Sequence, residues 1–270
     1  MELSDVFEAE SPPTSKPSKR EQRKADKEAR RPKPLEARNL RQKELIQQLN
    51  AFPVVIALGP AGSGKTYVGA RHALDRLLRK TIDRIIIARP SVSAARHRMG
   101  FLPGDGDKKM KPWLVPIVDA FKEGTSGAEV DRLTATKQIE VLPFEHMRGR
   151  TVKDGVFLLD EAQNCTLADL EMFLTRIGDN AQAIICGDPD QSDIGRDSGL
   201  RTIAEMVSRH GLNAGITFFR EEDVVRSATA KEWVMAFAAE RSHLSPGPDF
   251  SGDWRPAFLD KGVENGRPCG

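Results

Sequence analysis

One short stretch of this chain has the residue types that bind phosphate esters. Residues 59–66 follow the pattern G-x-x-x-x-G-K-[ST]. In this pattern, backbone N–H groups surround a phosphate, the lysine reaches the outer phosphates and the hydroxyl binds Mg²⁺. A glycine-rich turn that binds nothing is the alternative, and the lysine–threonine pair argues against it. We therefore predict a nucleoside triphosphate site formed by Gly59, Pro60, Ala61, Gly62, Ser63, Gly64, Lys65 and Thr66.

A second stretch is an apolar run that ends in two carboxylates, Asp160 and Glu161. Asp160 is expected to hold Mg²⁺ through water, because Mg²⁺ keeps much of its hydration shell. Glu161 is expected to orient or deprotonate an attacking water. Acidic pairs also end many surface strands, so this interpretation depends on the lysine loop about 95 residues earlier.

A third stretch places a tight turn and a glutamine after another apolar run. Gly187 permits the turn at the edge of the sheet where ligands bind in α/β folds. Gln191 then contacts the γ-phosphate or the attacking water, as a neutral sensor of hydrolysis. A Gly-Asp-Pro surface turn is the alternative explanation.

These motifs need a parallel sheet to bring them together. Strands that are apolar along their whole length are typical of a sheet covered by helices on both faces, so we predict an α/β three-layer domain. Strands are predicted at residues 54–58, 84–88, 139–142, 156–159, 183–186 and 216–219. Helices are predicted at residues 67–74, 108–121, 167–177, 200–208 and 230–240, after an apolar stripe at Leu35, Leu40, Leu45, Ile46 and Leu49. Pro112 and Pro116 are expected to interrupt the second of these helices.

Composition and charge suggest the remaining organisation. Net charge is +2, but residues 16–43 hold twelve Lys and Arg against four Asp and Glu, which leaves the rest of the chain net acidic. A contact with a nucleic-acid backbone and a solvated tail are the two explanations for this basic stretch. We predict a disordered basic arm (1–34), one ordered domain (35–241) and a flexible tail (242–270). The chain has no apolar run of membrane length and no signal core, and its three cysteines lack metal spacing, so a cytoplasmic location is predicted.

The motifs in combination resemble one family. G-P-A-G-S-G-K-T, L-L-D-E-A-Q-N and G-D-P-D-Q together are similar to the PhoH family of ATPases, relatives of the superfamily 1 helicases. The resemblance to this one family becomes more specific with three further stretches, F-L-P-G, M-R-G-R-T and F-L-T-R-I-G. It extends over residues 41–240. The resemblance implies a RecA- or helicase-like P-loop fold, ATP and Mg²⁺ as ligands, and RNA or single-stranded nucleic acid as partner.

The resemblance also implies roles for residues near the phosphate loop. In relatives, a glutamine ahead of the first strand reads the adenine edge, and Gln42 is the matching residue here. Tyr67, which follows the loop, joins the predicted nucleotide-binding residues. Hydrolysis also benefits from a cation on the developing charge, and Arg176 and Arg226 are the candidates for this arginine finger.

Further residues are implied as contacts to nucleic acid. Arg89 follows the second strand, where helicase relatives hold the nucleic-acid backbone. Arg148 and Arg150 are candidates for phosphate or nucleic-acid contacts, and Phe101 and Trp113 for stacking on bases. For Arg148 and Arg150, as for Arg176 and Arg226, the alternative is an ion pair within the protein. For the two aromatic residues the alternative is a place in the core.

Helicases place ATP between two nucleotide-type domains, and this chain has room for one. The arginine finger is therefore expected in cis or from another subunit of a homo-oligomeric ring. The predicted function is a Mg²⁺-dependent ATPase coupled to RNA or single-stranded nucleic acid. The alternatives are an ATP-dependent binding switch that recruits a protein partner with little turnover, and a small-molecule kinase.

Overall fold

The computed structural model describes residues 33–90, 111–147 and 149–244. A six-stranded sheet forms its centre, with every strand parallel to its neighbours and the order β3-β2-β4-β5-β1-β6. The strands are β1 Val54–Leu58, β2 Arg84–Arg89, β3 Ile139–Pro143, β4 Gly155–Leu159, β5 Gln182–Gly187 and β6 Ala214–Phe218. The predicted α/β fold with a parallel sheet is confirmed. The predicted disorder of the basic arm and flexibility of the tail concern segments that lie almost entirely outside the described residues.

Helices cover both faces of this sheet. Within the described residues they are α1 Leu40–Ala51, α2 Lys65–Leu78, α3 Lys111–Gly124, α4 Gly127–Ala135, α5 Leu167–Leu174, α6 Leu200–His210 and α7 Ala228–Leu244. Helices α1 to α4 pack in one apolar cluster with one face of the strands, and α5 and α6 pack in a second cluster with the other. The strand side chains alternate between the two clusters, as on β4, where Val156 and Leu158 face one side and Phe157 and Leu159 the other.

Helix α3 differs from the sequence prediction, because it continues through Pro116. Pro116 is exposed, whereas Ile117, Ala120 and Phe121 are each 1% exposed against the core. A proline on the water side opens the helix outward and removes one backbone hydrogen bond, which the burial of the opposite face offsets. The predicted interruption is therefore wrong at Pro116.

Two other local differences concern helices α4 and α1. Helix α4 was not predicted; its apolar pattern is short, with only Val130 and Leu133 buried, and its N-terminus is capped by Ser126, whose hydroxyl accepts from Glu129 N. In the apolar stripe predicted before β1, Leu45 and Leu49 are buried and Leu35 and Ile46 pack against the core, but Leu40 is 82% exposed at the start of α1.

A buried polar network joins helices α1 and α2 to β5. Gln182 Nε2 donates to the carbonyl oxygens of Leu49 (2.7 Å) and Phe52 (2.8 Å) at the end of α1. Gln182 Oε1 lies 3.1 Å from His72 Nε2. Burial lowers the pKa of His72 from 6.5 to about 4, against the opposing effect of this hydrogen bond. His72 is therefore neutral in the folded protein over a pH range in which the unfolded chain takes up a proton.

This pKa difference predicts acid sensitivity. Because the folded pKa is depressed, the stabilisation is present above about pH 6.5 and is lost as the pH falls towards about 4. Between about pH 7 and about pH 4.5, we expect His72 to account for a loss of about 2–3 kcal/mol of unfolding free energy. Urea titrations of wild type and His72→Gln at both pH values measure it. Equal pH dependence in the two proteins would contradict the assignment.

Candidate nucleotide site

The loop between β1 and α2 has a backbone that glycine permits. Gly59, Gly62 and Gly64 have φ of +129°, +86° and +90°. A Cβ on Gly59 would collide with the carbonyl oxygen of Phe219, and a Cβ on Gly64 would lie 2.5 Å from Gln42 Nε2. Glycine is therefore required at these positions both by conformation and by close packing. The loop leads directly into the N-terminus of α2, which has no side-chain cap, so its first N–H groups are free to meet a phosphate.

Lys65 is folded against this loop. Its Nζ donates to the carbonyl oxygens of Gly59 (2.5 Å) and Pro60 (2.8 Å), and the residue is only 7% exposed. Burial lowers the pKa of Lys65, and the charges of Asp188 and Asp160 oppose that shift. The Lys65 ammonium thus lies among the residues that are predicted to bind a triphosphate.

The side chains of Asp160 and Thr66 form a hydrogen bond, although the strands that precede them, β4 and β1, are not neighbours in the sheet. Strand β5 lies between β1 and β4, yet Thr66 Oγ1 donates to Asp160 Oδ1 at 2.6 Å. Burial raises the pKa of Asp160, and the hydrogen bond from Thr66 acts against that shift. A hydroxyl and a carboxylate are oxygen ligands of the kind that Mg²⁺ prefers, and Mg²⁺ is usually held by one or two carboxylates plus substrate phosphates. The residues present therefore fit this ion. In the part of the chain that the structure describes, no group of three or more His, Cys, Asp or Glu forms a separate metal site.

Glu161 has a strained backbone and two side-chain partners. Its φ of 55° is left-handed, which is uncommon for a non-glycine residue and turns the chain sharply after β4. Arg89 Nη2 donates to Glu161 Oε1 at 3.2 Å, and Gln163 Nε2 donates to Glu161 Oε2 at 2.5 Å. Sequence reasoning assigned Arg89 to nucleic acid and missed its contact with Glu161.

Gln163 lies in the candidate site, and sequence reasoning left it out. It is 3% exposed, and its Oε1 accepts from Asp188 N at 3.1 Å. A Cβ on Gly187 would lie 2.9 Å from this oxygen, so the glycine leaves room for the glutamine. Gln163 thereby connects Glu161 to the turn that carries Gln191. The available signal was its place within the D-E-A-Q stretch.

The turn after β5 lies beside the phosphate loop, as predicted. Gly59 N donates to Gly187 O at 3.1 Å, because β5 and β1 are adjacent. Gln191 follows in this turn, where its backbone N–H donates to Asp188 O at 3.0 Å, and its side chain is exposed. The structure therefore brings Gln191 to the same sheet edge as Lys65 and Glu161.

Gln42 contacts the phosphate loop from α1. It is 2% exposed, and its Nε2 donates to Ser63 O at 3.0 Å. Its Oε1 accepts from the backbone N–H of Arg38 at 2.9 Å. Both ends of the amide thus bond to the protein backbone, which leaves one N–H of Nε2 for an adenine edge.

Arg226 reaches the loop within the same chain. Val225 N donates to Gly62 O at 2.9 Å, and a Cβ on Gly62 would lie 2.5 Å from Arg226 Nε. Arg226 is exposed, and it makes no ion pair with any residue in the described ranges. Since β6 lies next to β1, the segment that leaves β6 passes over the phosphate loop.

Arg176, the other arginine-finger candidate, lies elsewhere. Its carbonyl oxygen accepts from Val152 N at 3.1 Å, just ahead of β4 and therefore at the amino edge of the sheet. The phosphate loop follows the carboxyl edge. The structure thus does not bring Arg176 to the loop of its own chain, and Arg176 Nε is buried with no hydrogen-bond partner among the described residues.

Two further predicted contacts point away from the loop. The Tyr67 hydroxyl donates to Glu123 Oε2 at 2.8 Å and accepts from Arg71 Nη1 at 3.1 Å, so it faces α3. Arg150 pairs with Glu140 on β3 at 3.4 Å. Phe101, Arg148 and the side chain of Trp113 lie outside the described residues.

Comparison with known proteins agrees with this geometry. The sequence model of the PhoH family, described as "PhoH-like protein", matches residues 34–238. The chain belongs to the PhoH family. The resemblance seen in the motifs is thereby confirmed. None of the helices in the described ranges combines the length and apolar character needed to cross a membrane.

Several bacterial proteins are similar to this PhoH-family chain. It is 37% identical to the PhoH-like protein of Mycobacterium leprae over 216 residues. The match covers 79% of this chain and 61% of the relative. It is 38% identical over 216 residues to Protein PhoH of Escherichia coli, with 78% and 60% covered. A PhoH-like protein of Synechocystis is 35% identical over 221 residues, with 81% and 67% covered. The chain thus spans about three fifths of the length of the first two relatives.

Proposed function

We propose that this PhoH-family protein hydrolyses ATP with Mg²⁺ and couples hydrolysis to RNA or single-stranded nucleic acid. The observation that carries the hydrolytic part is the meeting of Thr66 and Asp160 at 2.6 Å, with Glu161 next in the chain and Lys65 buried beside it. Binding alone needs the loop, whereas hydrolysis also needs a carboxylate for water at the same place.

The residues divide the chemistry among them. Lys65 and the N–H groups at the start of α2 would bind and orient the phosphates. Thr66 and Asp160 would hold Mg²⁺, which when bound neutralises charge on the phosphates. Glu161 would orient the attacking water and take its proton, and Gln191 would hydrogen-bond the γ-phosphate or that water. Gln42 is proposed to retain its adenine-reading role through its remaining N–H.

Arg226 is the proposed cation for the developing charge, supplied in cis because it lies against Gly62. Arg226→Ala is expected to lower kcat roughly 10- to 100-fold, below the range of an enclosed arginine finger. The smaller effect follows from the exposure of Arg226 to water. Steady-state ATPase assays measure it, with Arg209→Ala on the surface of α6 as the matched control.

Mixing variants separates cis from trans supply. Arg226→Ala mixed with Lys65→Ala keeps the low rates of the two separate variants if each site uses its own arginine. Recovery of activity on mixing would show that a neighbouring subunit supplies the residue, which would require a ring or another oligomer with head-to-tail contacts. Mass in solution, measured with ATP present, tests the ring itself.

Nucleic-acid coupling has its own test. ATPase rates of the full chain and of a chain lacking residues 1–34 are measured with single-stranded RNA, single-stranded DNA and duplex. Faster turnover with a single-stranded polymer supports coupling, and a smaller effect without residues 1–34 assigns part of it to the basic arm. ATP binding without turnover, with or without nucleic acid, would favour the binding switch instead.

A further inference from the structure

Both carboxylate oxygens of Glu161 are held by protein donors. Arg89 Nη2 donates to Oε1 at 3.2 Å, and Gln163 Nε2 donates to Oε2 at 2.5 Å. A carboxylate that orients or deprotonates water must offer it an accepting lone pair. Charge-assisted hydrogen bonds from a guanidinium are strong competitors for such a lone pair. The two donors therefore compete with the attacking water for Glu161.

The two donors differ in how easily they can be displaced. Gln163 is 3% exposed, and its own oxygen is held by Asp188 N, so a ligand from solution reaches it less easily than it reaches Arg89. The side chain of Arg89 is 31% exposed at the carboxyl end of β2. Arg89 is thus the donor that a ligand from solution can approach.

The charge and shape of Arg89 determine which ligand could displace it from Glu161. Its guanidinium is always charged, and its second nitrogen, Nη1, lies 4.0 Å from Asp160 Oδ2, so its fork faces two carboxylates. A phosphodiester offers the same fork two non-bridging oxygens that share one negative charge, so both outer nitrogens of the guanidinium can donate to one group. The twelve Lys and Arg of residues 16–43 favour a partner with a phosphate backbone.

We propose that Arg89 is a positioning residue that restrains Glu161, and that the phosphodiester backbone of single-stranded nucleic acid frees Glu161 by binding the Arg89 guanidinium. Gln163 then keeps Glu161 aligned with the turn of Gln191 after Arg89 has left. This inference rests on the proposed hydrolysis and adds the physical link by which nucleic acid would accelerate it. This step forms and breaks only hydrogen bonds and an ion pair, and no covalent bond changes.

The test measures kcat of the full chain at saturating ATP and Mg²⁺, with and without polyuridylic acid. Arg89→Ala and the less truncated, uncharged Arg89→Gln are expected to turn over ATP about two- to fivefold faster than wild type without RNA, the range for a partly exposed ion pair. Added RNA should accelerate neither variant further. Arg84→Ala, at the exposed opposite end of the same strand, should keep both wild-type rates.

A double variant shows whether the effect passes through Glu161. In a Glu161→Gln protein, the additional change Arg89→Ala should leave kcat unchanged, since no carboxylate remains to be released. A merely structural role of Arg89 would lower the rate or the melting temperature in both backgrounds. Circular-dichroism melting of each variant distinguishes that outcome.

Several results would overturn the proposal. Arg89 variants with an unstimulated rate at or below that of wild type would show that Arg89 does not restrain Glu161. Wild type that hydrolyses ATP at the same rate with and without RNA would remove the release step. Wild type that does not hydrolyse ATP at all, under any of these conditions, would instead refute the proposed function on which the inference rests.

Discussion

Glu161→Gln is expected to lower kcat for ATP hydrolysis roughly 10²- to 10⁴-fold, the range for loss of a positioned general base. The glutamine keeps the size of the side chain and can still accept from Arg89. Its NH₂ group replaces the oxygen that accepts from Gln163, so that one hydrogen bond is lost. ATP affinity should change little, because the side-chain hydrogen bonds of Glu161 are with Arg89 and Gln163 and not with the phosphate loop. The expected signature is thus lost turnover with retained binding, measured by phosphate release and by equilibrium ATP titration.

A matched control for this change is Glu140→Gln. Glu140 also pairs with an arginine, Arg150 at 3.4 Å, but it lies on β3 away from the loop. The control should retain the parent rate. A Glu161→Gln protein that hydrolyses ATP as fast as its parent would remove Glu161 from the chemistry, and Asp188, buried beside Lys65, would then be the next carboxylate to test.

Lys65→Ala is expected to lower kcat/KM by about 10³-fold, at the upper end of the range for loss of one preorganised donor. Two effects combine. The variant loses the cation that meets the phosphates, and it loses the hydrogen bonds from Nζ to Gly59 O and Pro60 O that hold the loop. ATP binding should therefore weaken together with kcat, in contrast to Glu161→Gln.

Lys65→Arg is the informative companion variant. Lys65 is 7% exposed, and a planar guanidinium is too wide for the place its ammonium occupies, so this variant should remain close to the alanine variant in activity. Lys122→Ala, on an exposed position of α3, serves as the control and should match wild type. Near-parent kcat/KM for Lys65→Ala would contradict the phosphate-binding role.

The fold could be predicted closely from sequence because its signals are local. All six strands lie where the apolar runs predict them, within one or two residues at most ends. Errors occurred where local and tertiary effects conflict. Pro116 predicted a break, but burial of the opposite face of α3 keeps the helix intact. Helix α4 escaped prediction because its nine residues bury only two apolar side chains.

Within the site, the sequence predicted the residues that act through their own backbone conformation. Gly59, Gly62 and Gly64 have left-handed φ values that only the local sequence needs to permit. It did not reach Gln163, whose role depends on Asp188 from a different strand, 25 residues later. Nor did it pair Arg89 with Glu161, 72 residues apart, which meet because β2 and β4 are neighbours.

The sequence by itself determined the glycine-rich loop with its lysine, the carboxylates that end an apolar strand and the parallel sheet, since each depends on adjacent residues and their period. Only the tertiary structure separated Arg226 from Arg176, which sequence motifs had left equal. The reason is strand order: β6 lies beside β1 and delivers Arg226 to Gly62, whereas Arg176 bonds to Val152 at the amino edge of the sheet. Strand order arises from long-range packing of similar apolar strands, and no local pattern in the chain specifies it.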